Sequence, residues 1–173
     1  MDYRMVVMKA FKVSRVWTIT VVLALGLAAR ASAQGELRVG TWKLNLAKST
    51  FNQGPAPKSV TIKIEAAGAG YKTIVDTVES DGRVRHFEAT ANADGKDYPR
   101  ITTDGGLLPN GDVVALTRLD ANTTRTIQKK DGKVIITRTS VMSSDGKTMT
   151  TTTTDTNALG QTSVNSVGVF DKQ

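Results

Sequence analysis

Three arginines of this chain fall in step with apolar side chains. Arg85 alternates with Phe87 and Ala89, Arg118 with Val114 and Leu116, and Arg138 with Val134 and Ile136. In an extended backbone every second residue faces the same way, so each cation shares a sheet face with hydrophobic groups. A guanidinium on the inner face of a folded domain must be paired or hydrogen-bonded, because burying it alone costs several kcal/mol. One solution is a polar-lined cavity in which an anionic or amphipathic ligand meets the arginines. The alternatives are that these faces point outward, or that the arginines pair internally with Glu88, Asp76 or threonine hydroxyls. A slip of one residue in strand register exchanges the two faces, so the pattern leaves the choice open. Tyr98, at the base of a long irregular segment, joins Arg85, Arg118 and Arg138 as a candidate ligand contact.

Catalysis finds less support. His86 is the sole histidine, which excludes a multi-histidine metal site and leaves little for a Ser-His-Asp arrangement. Glu88 lies two residues on, hence on the same strand face, and the two could form a modest acid–base pair. A lone histidine beside a carboxylate is more often structural than catalytic. No nucleophile elbow, phosphate loop or dinucleotide fingerprint occurs. With no cysteine at all, thiolate metal sites and thiol catalysis are out. Asp81, Asp94, Asp131 and Asp145 each precede a glycine and then a cation. A calcium loop needs several oxygen ligands within one loop, whereas each of these offers a single carboxylate. They read as hairpin turns. No catalytic residue, metal or cofactor is expected, and the chain is not read as an enzyme.

The elements that would position the arginines are strands. Val60, Ile62 and Ile64 alternate with Thr61, Lys63 and Glu65, the period of a half-buried strand. Similar runs follow at Tyr71 to Glu79, Arg83 to Asn92, Asp112 to Leu119, Thr123 to Lys129, Lys133 to Met142, Lys147 to Asp155 and Thr162 to Asp171. With Leu37 to Leu44 they make nine strands, and a tenth if Asp97 to Thr102 pairs. Between them stand Asp-Gly turns, in which glycine accepts the positive φ a tight hairpin demands. The stretch Thr148 to Thr156 holds seven threonines on both faces, which suits a strand whose inner side is wet or lightly packed. No window shows an apolar stripe of helical period. An antiparallel meander of this length hides its two edges by closing into an up-and-down barrel. An open sheet or a two-sheet sandwich is the competing architecture. The segment from Tyr98 to Asp112, with Pro99, Asp104-Gly105-Gly106, Leu107-Leu108-Pro109 and Asn110-Gly111, breaks the rhythm. It reads as a long loop at a cavity mouth.

Residues 1–33 carry a different pattern. Arg4, Lys9, Lys12 and Arg15 precede an uncharged apolar run from Val16 to Ala29, and Ala31-Ser32-Ala33 ends it. Basic start, apolar middle and small-residue end form the signal-peptide pattern. The apolar run falls short of the ~20 residues that span a bilayer. Cleavage would leave a single domain over residues 34–173, in the periplasm or outside the cell, with no membrane anchor. Of the 23 Lys+Arg and 16 Asp+Glu, five and one lie in residues 1–33. Removing them lowers the net charge from +7 to +3. The remaining cations are scattered, without the clustered basic face and interleaved aromatics of a nucleic-acid reader. Nucleic-acid binding is therefore not expected, and a monomer is.

Two ends of the presumptive mature chain look familiar. Gly40-Thr41-Trp42-Lys43-Leu44 resembles the G-x-W opening strand of the calycins, the lipocalins and fatty-acid-binding proteins. Val167-Gly168-Val169-Phe170-Asp171-Lys172-Gln173 resembles the closing strand of the fatty-acid-binding branch, and Asp145-Gly146-Lys147-Thr148-Met149-Thr150 its penultimate hairpin. The chain also resembles a family of uncharacterised bacterial secreted proteins with the same G-T-W-K-L opening. The resemblance implies an all-β barrel around a small-molecule cavity, with Trp42 plugging its closed end, under an arginine of the opposite wall. Two departures limit it. Asn45 to Pro57 has room for one turn of helix around Leu46 to Phe51, not for the two lid helices of that branch. Its ligand-carboxylate pair, Arg-x-Tyr on the last strand, is matched here by Gly168 and Phe170, so that site does not carry over. The expectation is an exported protein that binds a small apolar or amphipathic ligand. The rivals are a structural or interaction module of the bacterial envelope and, further off, a hydrolase or isomerase using His86 with Glu88.

Overall fold

A computed structural model describes residues 37–101 and 113–173. The presumed signal segment 1–33 lies outside the described residues, and so do Leu107 and Leu108. Within the described residues the β-branched, alternating sequence folds as a meander. It runs through β1 (Gly40–Leu44), β2 (Thr50–Phe51), β3 (Ser59–Ala67), β4 (Gly70–Val78), β5 (Val84–Asn92) and β6 (Asp94–Ile101). It continues through β7 (Val113–Arg118), β8 (Thr123–Lys130), β9 (Lys133–Met142), β10 (Thr148–Thr156) and β11 (Thr162–Lys172). Every strand from β3 onward pairs antiparallel with the next, and β1 pairs with both β3 and β11. Those two contacts close a barrel of ten strands, with the short β2 added to the same edge of β11 as β1. Closure leaves no edge for another chain to extend. The expected all-β meander closing into a calycin-like barrel is what forms.

Sequence detail accounts for the turns. Asp131 and Gly132 adopt φ of 50° and 72°, the two left-handed residues that match a two-residue hairpin to the twist of its strands. Asp81, Asp120 and Asp145 each accept a hydrogen bond from the backbone N–H two residues on, at 2.9, 2.8 and 3.0 Å. This local bonding is why an aspartate opens a turn, and it leaves no carboxylate cluster for a cation. A single 3-10 turn at Leu46–Lys48 interrupts the first strand, matching the one turn for which the sequence had room.

One segment differs from its reading. Tyr98 to Ile101 is strand, not loop, and belongs to β6, which begins at Asp94 and pairs with β5 and β7. Its register jumps between Asp94 and Asp97, and its middle is exposed, so neither alternation nor apolarity advertised it. The core divides in two. Trp42, Ile64, Tyr71, Met142, Met149 and Phe170 fill the end where the chain enters and leaves the barrel, and Ala89, Ala91 and Val114 form a smaller group.

Candidate ligand-binding cavity

The alternation that built the strands divides each into an inward and an outward set. Above the Trp42 layer the inward set leaves a cavity of about 400 Å³. Its wall is two-sided. Leu44, Phe51, Val60, Ile62, Val75 and Phe170, from β1 to β4 and β11, make one side apolar. The facing side, from β5 to β10, adds Arg85, Arg100, Thr126, Gln128, Arg138 and Thr153 to apolar residues such as Phe87, Leu116 and Ile136. No aspartate or glutamate among the described residues lines it. The threonine-rich β10 thus turns Thr151 and Thr153 inward, against the cavity rather than into a dry core.

The arginine pattern resolves as follows. Arg138 lies midway along β9, with Thr126 and Thr153 directly opposite it on the two neighbouring strands. Its guanidinium lines the cavity and makes neither a hydrogen bond nor an ion pair among the described residues. Burial holds its pKa down at about 10, with Asp155 opposing and Arg85 adding to the shift. Arg85 also lines the cavity. It sits near the mouth with its side chain 57% exposed and pairs with Glu79. Arg118 points inward too, but toward the closed end, where it donates to the Tyr71 hydroxyl at 2.9 Å. Tyr98 packs on the small core group and donates to Asp94 Oδ2 at 3.0 Å. It is not part of the cavity wall.

Two cavity cations carried no signal in the alternation. Arg100 follows Pro99 at the end of β6 and is 4% exposed. Its guanidinium lies 4.2 Å from the centroid of Phe87, while its Nε and Nη1 make no hydrogen bond. Burial, then Arg138 and Arg85, lower its pKa to about 10. Arg38 precedes β1. It donates to the carbonyls of Asn122 at 3.0 Å and Ser140 at 3.3 Å, and burial is the main cause of its lowered pKa.

The closed end is a layered plug. Trp42 is completely buried and its indole N–H donates to the Arg38 carbonyl at 2.9 Å. The cation over its ring comes from the last strand: Lys172 Nζ stands 5.2 Å from the ring and donates to the Leu37 carbonyl at 2.8 Å. An arginine from the opposite wall was expected there, and a lysine from the adjacent strand fills the place. At the other end His86 Nδ1 lies 2.6 Å from Asp76 Oδ1 across the β4–β5 ladder. Glu88 instead pairs with Lys72 at 2.9 Å, so the His86–Glu88 acid–base pair does not form.

Ten antiparallel strands, consecutive neighbours and an internal cavity define the class: a calycin-like up-and-down β-barrel. No protein-family model matches the chain, and no curated protein matches it either. Among solved structures it is similar to the zebrafish ileal bile-acid-binding protein complexed with cholic acid. That match has 13% identity, covers 79% of this chain and 99% of the other, and has a TM-score of 0.48. It is also similar to the siderocalin Ex-FABP, described as functioning through dual ligand specificities, at 12% identity, with 79% and 74% coverage and a TM-score of 0.35. The barrel assignment rests on the strand pairing itself.

Proposed function

We propose that the protein is exported and binds one small apolar or amphipathic molecule inside the barrel. The observation that carries this reading is the cavity of about 400 Å³. A barrel serving only as a scaffold would fill such a space, since interiors otherwise pack to the density of organic crystals. Its size lies in the range of small-molecule sites, and half its wall is apolar. The site test is titration with N-phenyl-1-naphthylamine, a neutral fluorophore. Saturable enhancement at one molecule per chain supports binding. No saturable rise up to the solubility limit, with the protein folded by circular dichroism, sinks it.

Support for export is the basic, apolar and small-residue pattern of residues 1–33. Full-length chain expressed in a bacterial host with two membranes should be recovered outside the cytoplasm beginning near Gln34. Recovery from the cytoplasm with residues 1–33 intact would reject it. The rival reading, an interaction module of the envelope, draws on Val84 and Leu159, 71% and 83% exposed. They stand on separate hairpins, and no continuous patch joins them.

A further inference from the structure

Four arginines line the cavity, and they differ in what holds them. Arg38 is bonded to two carbonyls and Arg85 is paired with Glu79. Arg138, midway along β9, and Arg100, near the end of β6, have no ion-pair partner among the described residues. The carboxylate that most influences Arg138 is Asp155, and one oxygen of that group is occupied by Asn165 Nδ2 at 2.7 Å. A cation surrounded by protein and left unpaired is costly, and the usual remedy is a counter-charge within hydrogen-bond reach. The chain supplies none from the cavity wall.

We propose that Arg138 and Arg100 form the anchor for the anionic head of an amphiphile, whose apolar body lies against the β1–β4 and β11 side. The proposal rests on the cavity-binding reading and names the ligand class for it. Three features favour it over a neutral ligand. Both unpaired guanidiniums line the same cavity, and Arg138 is close enough to disfavour the charge on Arg100. Thr126 and Thr153 set hydroxyls beside Arg138, ready to donate to the same oxygens. Strands β1 to β4 and β11 present no charged side chain to the cavity and are mostly apolar there, so head and body have separate places. Gly168 and Phe170 put no charge on the last strand, which leaves β6 and β9 as the positive part of the interior. Charge-assisted, bidentate bonding is what guanidinium groups offer to carboxylate and phosphate.

The test compares dodecanol, dodecanoate and dodecyl phosphate, each below its aggregation limit at pH 8. Displacement of N-phenyl-1-naphthylamine reads their binding. Wild-type protein should bind at least one anion about tenfold or more tightly than dodecanol, the worth of one good charge-assisted bond. The carboxylate and phosphate arms show which head the anchor takes. Arg138→Met and Arg100→Met, made separately, should each cut that preference at least about fivefold while dodecanol changes less than about twofold. Arg125→Met removes the same charge from an exposed position and should leave the preference intact. Equal affinity for dodecanol and both anions in wild type overturns the anchor and leaves the cavity reading standing. So does a preference that survives both arginine variants, or one that Arg125→Met abolishes. If none of the three amphiphiles binds, both readings fall.

Discussion

Replacing Arg138 by methionine should stabilise the ligand-free barrel. The guanidinium holds its charge in a place where burial lowers its pKa from the ordinary arginine range to about 10. Each pKa unit corresponds to ~1.4 kcal/mol between the two charge states, so the charged form is disfavoured by roughly 3 kcal/mol before screening. Space for water in the cavity screens that figure, and a discount of half or more leaves ~1–2 kcal/mol. Methionine keeps the length and apolar stem of the side chain, so the packing beside Ile136 and the threonines is retained. The expected result is a gain of ~1–2 kcal/mol, or about 3–8 °C in Tm for a domain of this size. Ligand-stripped protein, unfolded in urea at pH 7.5, should show a higher midpoint with an unchanged slope. Arg100→Met should act in the same direction but less, because it also loses the contact with Phe87. Since Arg138 disfavours the charge on Arg100, the double variant should gain less than the two single gains added. An Arg138→Met midpoint equal to or below wild type would refute the reasoning, because the guanidinium would then be compensated in the empty barrel.

Other expectations follow from the plug, the turns and the ladder. Trp42→Ala empties the closed end and should cost roughly 3–5 kcal/mol; a loss under about 0.5 kcal/mol would remove Trp42 from the role of plug. Gly70→Ala would place a Cβ 2.0 Å from the Ala91 carbonyl, so the β4–β5 ladder must open, at roughly 1–3 kcal/mol. A urea midpoint matching wild type would show that the strands part without cost. Asp81, Asp94, Asp120, Asp145 and Asp171 are all held below the ordinary value of 3.8. In the first three the leading cause is a backbone N–H bond. For Asp145 it is the Ser143 hydroxyl, and for Asp171 the Asn45 amide. Near pH 3.8 the unfolded chain binds more protons than the folded one, so this stability is present above that pH. It is lost as pH falls through the lower folded values. Thermal unfolding should be steady from pH 7 to 5 and decline below about pH 4; a midpoint that stays level or climbs toward pH 2.5 would contradict it.

The barrel was legible because its turns are chemically marked. Asp-Gly at Asp81, Asp131 and Asp145 set strand ends to within a residue or two, and alternation in β3 set the faces. β6 was legible only as a conditional tenth strand at Asp97 to Thr102, because Pro99, a broken register and exposed residues erase the period-two signal. Arg100 was missed there. The facing of Arg138 could not be fixed from the chain alone, because its ladder with β8 contains a register shift, between Gln128 and Lys129, and a one-residue error in register exchanges the two faces of a strand. The pairing of His86 with Asp76 rather than Glu88 is likewise a cross-strand fact. Two residues apart on one strand are ~7 Å apart, whereas directly opposite residues are ~5 Å apart.

The distribution of charge inside the barrel follows the order of stability from one end to the other. At the closed end the cations are fully engaged: Arg118 with Tyr71, Arg38 with two carbonyls, and Lys172 with the Leu37 carbonyl beside Trp42. These bonds tie the residues before β1 to the β7–β8 turn, β9 and β11, and join β7 to β4. Above them the pairing stops while the burial continues, and there Arg100 and Arg138 keep unspent donors. A sequence selected for stability alone would place leucine or methionine at both positions, since the neighbouring strands already supply an apolar wall. That both unpaired cations face one cavity is what separates a binding site from loose packing. Loose packing would leave voids lined by hydrocarbon, which destabilise without favouring any ligand over another. Here the two unpaired cations face the same space, so a single anion can satisfy them together.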